Sequence, residues 1–257
     1  MAPQPTGVLM LLNHGRQAKL EKSRKAYDIR VSGLHLTPGR VDGHTVCGDA
    51  TPGCLKGCLN TCGRGGMNVV QSARQRKTRE FLANPWAFAA NLMEELDSAL
   101  VAAQRRGIDQ WFRLNLTSDI YWESYLLPHH LRHCYDYTKS LERWRRQPYH
   151  LTYSWNEEQW RSPLTLAREA GKTRPGVAVV VDPDIHARVT RYGTFRGVPV
   201  VDGTLDDQRP YDPPGALVLL KPLGRLKHDT TGFVIRELDQ LIIDRNPSAV
   251  RRTLPII

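Results

Sequence analysis

Residues 177–181 read Val-Ala-Val-Val-Val, a run of five apolar residues. A strand with one face in water alternates apolar and polar residues, whereas a continuously apolar strand is covered on both faces. The segment 163–171 before this run is predicted as a helix, which is the usual connection between parallel strands. The stretch therefore predicts an α/β fold with a mostly parallel sheet and helices outside it.

Shorter apolar or aromatic runs predict further strands. These runs lie at residues 27–36, 111–116, 134–137, 149–154, 198–201 and 216–220. Helices are predicted at 67–83 and from Pro85 to Gly107, with Asn84 as the N-terminal cap of the second. The glycines and prolines of the C-terminal third predict some antiparallel pairing at the end of the sheet.

The chain has 257 residues, of which 40% are hydrophobic and 24% charged. This composition is typical of globular proteins and excludes a disordered chain. No linker divides it, so a single domain is predicted over residues 1–257, with a basic, partly flexible arm at 1–26. The apolar run at 8–12 is far shorter than the roughly 20 residues that cross a bilayer, and no basic residue precedes it as in a secretory leader. A cytoplasmic protein without membrane contact is expected.

Residues 47–62, between the first predicted strand and the first long helix, read CGDATPGCLKGCLNTC and hold four of the five cysteines. If the chain is helical from Cys54 onward, Cys54, Cys58 and Cys62 lie about 40° apart around the axis and face the same way. The turn-forming residues before Cys54 would bring Cys47 back toward them. The sequence therefore predicts that four thiolates converge on one metal centre.

The cysteine spacing identifies the ligands more clearly than it identifies the metal. Four thiolates satisfy either a four-iron, four-sulfur cluster or a tetrahedral zinc ion. The compact run favours the iron-sulfur cluster, with zinc second, because structural zinc sites usually draw cysteine pairs from two separated knuckles. Free cysteines packed as small apolar side chains are the third alternative. A second metal near Cys134 and the histidines at 129, 130 and 133 is also conceivable, although a buried cysteine beside loop histidines is the commoner arrangement.

Six short stretches together resemble the gene-product-eighty-eight family of actinobacterial phage proteins. They are GDATPGC at 48–54, RLNLTSD at 113–119, YDYTK at 135–139, YHLTYS at 149–154, VDG at 201–203 and DTTGF at 229–233. The resemblance spans most of the chain and implies a phage protein in the host cytoplasm, but it lends no established activity. Phosphate-binding P-loops, dinucleotide-binding glycine motifs and zinc-protease motifs are absent from the sequence.

The order of strand, cysteine loop and helix also resembles radical S-adenosylmethionine enzymes. That resemblance implies a partial (β/α) barrel with a cysteine-rich metal loop after the first strand, and it makes S-adenosylmethionine a further candidate cofactor. The superfamily uses C-x3-C-x2-C, so that three ligands leave one iron open. Here the pattern from Cys54 to Cys62 is C-x3-C-x3-C, and Cys47 supplies a fourth thiol.

Polar residues that follow strands of a parallel sheet line the crevice where ligands bind. Those residues are Asn115, Ser118, Asp119, Asp136, Lys139, Ser154, Asn156, Asp182 and Asp202. We predict catalytic roles for Asp119, Asp136 and Lys139, because a carboxylate or an amine at a strand end can position a substrate or move a proton. The predicted cofactor-binding residues are Asn115, Ser118, Ser154 and Asp182. The alternative is that such residues only cap helices and fill turns.

The formal net charge of +10 raises a second possible function. Cations lie in the N-terminal arm, in the segment 64–79 after the cysteines and around Trp144. The second group is Arg64, Arg74, Arg76, Lys77 and Arg79, and the third is Lys139, Arg143, Arg145 and Arg146. Such groups contact phosphates while aromatic rings stack on bases, although charged helix faces are more often just solvated. The chain is thus predicted to be an iron-sulfur phage protein, a radical or redox enzyme. Alternatively, it is a structural-metal module that regulates phage DNA transactions through DNA or a phage or host protein partner such as a recombinase.

Overall fold

The computed structural model describes residues 10–14 and 18–249. The strands are β1 (Leu12–His14), β2 (Arg30–Leu34), β3 (Arg40–Val41), β4 (His44–Thr45), β5 (Gln110–Arg113), β6 (Tyr135–Thr138), β7 (His150–Ser154), β8 (Val177–Val180), β9 (Thr194–Phe195), β10 (Val198–Asp202) and β11 (Leu217–Leu220). The helices are α1 (Ala18–Tyr27), α2 (Pro52–Lys56), α3 (Asn68–Ala83), α4 (Pro85–Gln104), α5 (Pro128–Leu131), α6 (Leu141–Arg146), α7 (Pro163–Ala170), α8 (Pro183–Thr190) and α9 (Leu238–Ile242). Each apolar run overlaps one strand, and the three predicted helices are present.

Two sheets carry most of the strands. The smaller has the order β1-β2-β5, with β2 parallel to β5 and antiparallel to β1. The larger has the order β6-β7-β8-β11-β10-β9, and only its last pair is antiparallel. A parallel bridge between Phe112 and Cys134 joins the two sheets beside β5 and β6. The mostly parallel α/β arrangement is confirmed, whereas the described strands do not close into a barrel.

The helices bury their apolar faces against these sheets. Phe88, Leu92 and Leu96 of α4 pack in one core cluster with Phe112 and Leu114 at β5. Helices α7, α8 and α9 pack in a second cluster with β8, β10 and β11. Every residue of the run 177–179 is at most 2% exposed, as expected for a strand covered on both faces.

Local signals explain where the long helices begin. The Asn84 side chain accepts a hydrogen bond from the backbone N–H of Ala87, 3.0 Å away, and Pro85 occupies the first turn of α4. Ser162 caps α7 in the same way through the N–H of Thr165. Among the described helices, none is both long enough and apolar enough to cross a bilayer.

Within the predicted arm, residues 1–26, the structure describes β1 and all but the last residue of α1. Leu20 of α1 is buried and packs with Ile29 and Val31. Ser23 Oγ accepts a hydrogen bond from the N–H of Asp207, 3.0 Å away. Residues 1–9 and 15–17 lie outside the described part of the chain. Helix α1 is therefore fixed by contacts with distant segments, which its charged sequence does not reveal.

Candidate functional site

A cavity of about 560 Å³ opens at the carboxyl ends of the parallel strands. Its wall includes Arg113 at the end of β5, Thr138 of β6, Ser154 of β7, Val180 of β8 and Leu220 of β11. In open α/β sheets this edge is where ligands bind. The volume is within the range of small-molecule sites in proteins.

Three of the four clustered cysteines line this cavity: Cys47, Cys54 and Cys58. Cys62 does not line it, and its sulfur lies beside Gly224, where an added Cβ would come within 2.9 Å of it. Among the described residues, no three cysteine sulfurs lie within 4.8 Å of one another. The structure thus brings three of the predicted ligands to one cavity and leaves Cys62 outside its wall.

The helix predicted from Cys54 onward ends early. It covers only α2, and Gly57 caps it. Cys58 then adopts extended backbone angles, φ −57° and ψ 130°, before a short 3-10 turn. Gly57 lies so close to the Leu226 side chain that no Cβ would fit between them. Cys54 and Cys58 therefore reach the cavity through a break in the helix and not through a shared helical face.

Glu157, in the loop after β7, holds the start of the cysteine loop. The Thr51 hydroxyl donates to Glu157 Oε2 over 2.8 Å, and the Gly53 N–H donates to Glu157 Oε1 over 2.6 Å. Thr51 Oγ1 also accepts a hydrogen bond from the Cys54 N–H as the cap of α2. Sequence reasoning missed Glu157, because no motif relates it to a loop about a hundred residues earlier.

The three cavity thiols lie in an environment that disfavours their charged form. Burial raises the pKa of Cys47 to about 12, and the nearby Cys54 thiol adds to this shift. Burial also raises the pKa of Cys54, with the Lys139 ammonium acting against it, and that of Cys58. A bound metal would displace these protons and supply the positive charge that thiolates need in a buried site.

Asp119 is a buried carboxyl group at the cavity wall. It accepts hydrogen bonds from Arg143 Nη1 at 2.9 Å, from the Lys139 N–H at 2.7 Å and from Thr138 Oγ1 at 3.1 Å. Burial raises the pKa of Asp119 to about 6, although Arg143 pulls it down. A carboxyl group with this pKa can take up or release a proton near neutral pH.

Lys139 and Ser154 also line the cavity and contact each other. Lys139 Nζ donates to Ser154 Oγ over 2.6 Å and to the Ser154 carbonyl oxygen over 3.1 Å. The same ammonium lies 4.8 Å from the centre of the Phe233 ring, a distance typical of a cation–π contact. The predicted catalytic lysine is thus held in a fixed position at the cavity.

Asn115 and Ser118 line the cavity too, but their polar groups are engaged within the protein. Asn115 Oδ1 accepts hydrogen bonds from Ser118 Oγ at 2.8 Å, from the Ile120 N–H at 2.9 Å and from Trp122 Nε1 at 3.2 Å. These contacts shape the loop after β5. They favour a supporting role for Asn115 over direct contact with a cofactor.

Two of the seven predicted catalytic and cofactor-binding residues do not line the cavity. Asp136 is fully buried and accepts hydrogen bonds from the Asn115 N–H at 2.8 Å and the Tyr149 hydroxyl at 3.0 Å; burial raises its pKa to about 7. Asp182 caps α8 by accepting a hydrogen bond from the Asp184 N–H over 3.1 Å. Neither side chain lines the cavity walls, so Asp136 fits a structural role and Asp182 the capping alternative.

Several cations proposed for nucleic-acid contact point inward. Arg74 Nη1 donates to the Asn60 carbonyl oxygen over 2.9 Å, and Lys77 Nζ donates to a backbone carbonyl near β1. Arg143 is buried in ion pairs, and Trp144 is fully buried, so its ring does not meet a base at the surface. Contact with nucleic acid or a protein partner remains a prediction that would depend on the other surface cations.

Other wall residues were not identified from the sequence. Lys22 of α1, Lys221 after β11 and Phe233 line the cavity; only Phe233 lies in one of the motif-like stretches. A separate group, Asp97 with His129 and His130, has ligand atoms within 4.8 Å of one another. The second metal suggested near Cys134 would thus use an aspartate of α4 in place of the cysteine.

Comparison with known proteins gives one result. No curated protein and no solved structure matches the chain. The family model described as Gene product 88 matches residues 10–237, a segment that includes the cysteine loop and the whole cavity wall. The chain therefore belongs to the Gene product 88 family.

Proposed function

We propose that Cys47, Cys54 and Cys58 hold an iron-sulfur cluster at the cavity, and that the protein is a redox or radical enzyme acting on a small molecule bound there. The observation that carries this proposal is that three thiols of one loop line a single cavity at the carboxyl ends of parallel strands. Clusters of four irons usually have four cysteine ligands. With three, one iron faces the cavity and is open to a small molecule.

The spacing of the sulfurs disfavours a preformed tetrahedral zinc site. Sulfurs bound 2.3 Å from a tetrahedral zinc ion are about 3.8 Å apart. Among the described cysteines, no three sulfurs come within 4.8 Å of one another. The ligands of a cluster bind different irons and are therefore farther apart than the ligands of one ion.

We also infer that the two sheets act together as a partial barrel. The series β2, β5, β6, β7, β8, β11 and β10 is parallel throughout if the bridge between Phe112 and Cys134 is counted as the join. The segment after β10 returns to α1, where Lys22 Nζ donates to the Thr204 carbonyl oxygen over 2.8 Å. In such an arrangement the strand ends surround the cavity and the cysteine loop lies over it.

The cluster, when bound, would supply single electrons. Asp119 is suited to hold or release a proton at the cavity, since its pKa is about 6. Lys139 would place a positive charge beside Cys54 and the bound molecule, because its ammonium lies at the same wall. S-adenosylmethionine is one candidate for the molecule that meets the open iron.

Anaerobic reconstitution with iron and sulfide tests the proposal. We expect brown protein with about four irons per chain, and loss of colour and iron after Cys47→Ala, Cys54→Ala or Cys58→Ala. Cys62→Ala and Cys134→Ala are matched controls that should keep the cluster. Colourless protein with one zinc per chain would contradict the cluster, and equal iron loss in Cys62→Ala would contradict the three-ligand arrangement.

A further inference from the structure

We propose that the cavity binds an organic anion, a molecule with a carboxylate or phosphate group on an apolar body. The inference deepens the proposed function and rests on it for the role of the cavity as the reaction site. It is carried by the balance of charges at the cavity wall. That balance depends on which charged side chains of the wall form ion pairs with residues outside it.

Two carboxylates, Asp119 and Asp206, line the wall among the described residues, and each has an arginine partner. Asp119 is paired with Arg143, with 2.9 Å between Nη1 and Oδ1, and Asp206 is paired with Arg209, with 3.1 Å between Nη2 and Oδ1. Both arginine side chains are fully buried and lie behind the wall, not on it. Each arginine also pairs with a second carboxylate, Glu123 for Arg143 and Asp212 for Arg209. The excess of positive charge therefore lies in the wall itself, which holds two carboxylates against the four cations Lys22, Arg113, Lys139 and Lys221.

The lysines of the wall lack such compensation. Arg113 is paired with the buried Asp207, but among the described residues no carboxylate forms an ion pair with Lys22, Lys139 or Lys221. Lys139 Nζ instead donates to neutral oxygens. The wall thus carries an excess of positive charge, and an anionic group of a ligand would balance it.

Most of the exposed area of the rest of the wall is apolar. It includes Leu55, Leu59, Leu116, Val180, Leu220 and Leu226. A small inorganic anion would leave these side chains facing water, whereas an apolar body would cover them. The two features together indicate a ligand with one charged end and one apolar end.

Two fluorescent probes with the same aromatic body test this charge preference. 8-Anilinonaphthalene-1-sulfonate carries an oxyanion, and N-phenyl-1-naphthylamine is uncharged. We expect one sulfonate probe per chain, with Lys139→Gln and Lys221→Gln each weakening its binding about fivefold and leaving the uncharged probe unchanged. Lys172→Gln, an exposed lysine away from the cavity, is the control and should have no effect. Circular dichroism verifies that each variant is folded.

Competition identifies the anionic group. Displacement of the sulfonate probe by phenyl phosphate or by phenylacetate supports the inference, and the stronger competitor distinguishes phosphate from carboxylate. Equal displacement by uncharged 2-phenylethanol, or equal weakening in Lys172→Gln, would overturn it. The titrations are made before and after cluster reconstitution. Charge-dependent binding by a protein that fails to take up a cluster on reconstitution would contradict only the proposed function. Charge-independent binding by a protein with an intact cluster would contradict only this inference.

Discussion

Glu157 should determine whether the cysteine loop keeps its place at the cavity. Its carboxylate accepts hydrogen bonds from the Thr51 hydroxyl at 2.8 Å and the Gly53 N–H at 2.6 Å. Thr51 is the N-terminal cap of α2, and Gly53 lies in its first turn immediately before Cys54. Glu157→Ala removes both acceptors, whereas Glu157→Gln keeps the size of the side chain and one neutral acceptor oxygen.

The expected size of the effect follows from these two contacts. Hydrogen bonds to a charged group contribute about 1.5–3 kcal/mol each, and the half-buried position of Glu157 favours the lower end. We therefore expect Glu157→Ala to lower the free energy of unfolding by about 3 kcal/mol and Glu157→Gln by about 1 kcal/mol. Loss of groups that orient a metal ligand typically weakens metal binding about 10- to 100-fold, so the cluster should be released more readily.

Urea unfolding measures the first effect, and the iron retained during a chelator challenge measures the second. Glu94→Ala is a suitable control, because Glu94 is an exposed glutamate on α4. The reasoning fails if Glu157→Ala loses no more stability than Glu94→Ala and retains iron as well as the unaltered protein does. Loss of stability with normal iron retention would restrict Glu157 to a structural role.

Two further predictions concern the same wall. In Gly53→Ala the new methyl would lie 2.6 Å from Glu157 Oε1 and from Phe233 Cβ, so urea unfolding should show that the free energy of unfolding falls by about 1–3 kcal/mol. The control Gly48→Ala, where no other atom lies within 4 Å of the new methyl, should leave stability nearly unchanged. Equal effects of the two substitutions would refute the close packing at Gly53. Because burial raises the pKa of Asp119 from 3.8 to about 6, the folded state binds more protons than the unfolded state between these values, and stability should fall by up to about 3 kcal/mol as the pH rises from 4 to 6. Asp119→Asn should remove that slope, and an unchanged profile would contradict the shift.

The sheet was predictable because buried strands leave a signal among neighbouring residues. The run 177–181 is continuously apolar, and it forms β8 with both faces covered. The start of α4 was predictable for the same local reason, since Asn84 and Pro85 act within one turn. The way the strands pair into two sheets is not a local property, and the prediction of a barrel-like arrangement depended on resemblance alone.

The cysteine loop shows where local spacing fails. The repeat C-x3-C predicts a helix through Cys62, but α2 stops at Lys56 because Gly57 packs against Leu226 and the chain turns. Leu226 is far away in sequence, so no pattern within the loop could reveal it. The thiols Cys54 and Cys58 still reach one cavity, by a route that the spacing did not predict.

The strand-end rule identified five of the seven predicted catalytic and cofactor-binding residues as cavity residues. They are Asn115, Ser118, Asp119, Lys139 and Ser154. It failed for Asp136, whose buried side chain accepts hydrogen bonds from the Asn115 N–H and the Tyr149 hydroxyl and does not line the cavity. Asp182 follows β8 but serves as the cap of α8. Predicting these two cases requires knowing the hydrogen-bond partners of each side chain, which polarity alone does not give.

The order in which the site can form follows from the contacts of the cysteine loop. Residues from the far end of the chain pack against it: Leu226 against Gly57, and Thr231 and Phe233 against Gly53. The loop therefore takes its final shape only when residues up to 233 have folded. Since these contacts involve glycine backbone and the side chains of Leu226, Thr231 and Phe233 and not the thiols themselves, they hold the loop without a metal. A site preformed in this way would let a cluster enter the folded protein, in contrast to small metal domains that fold only around their ion.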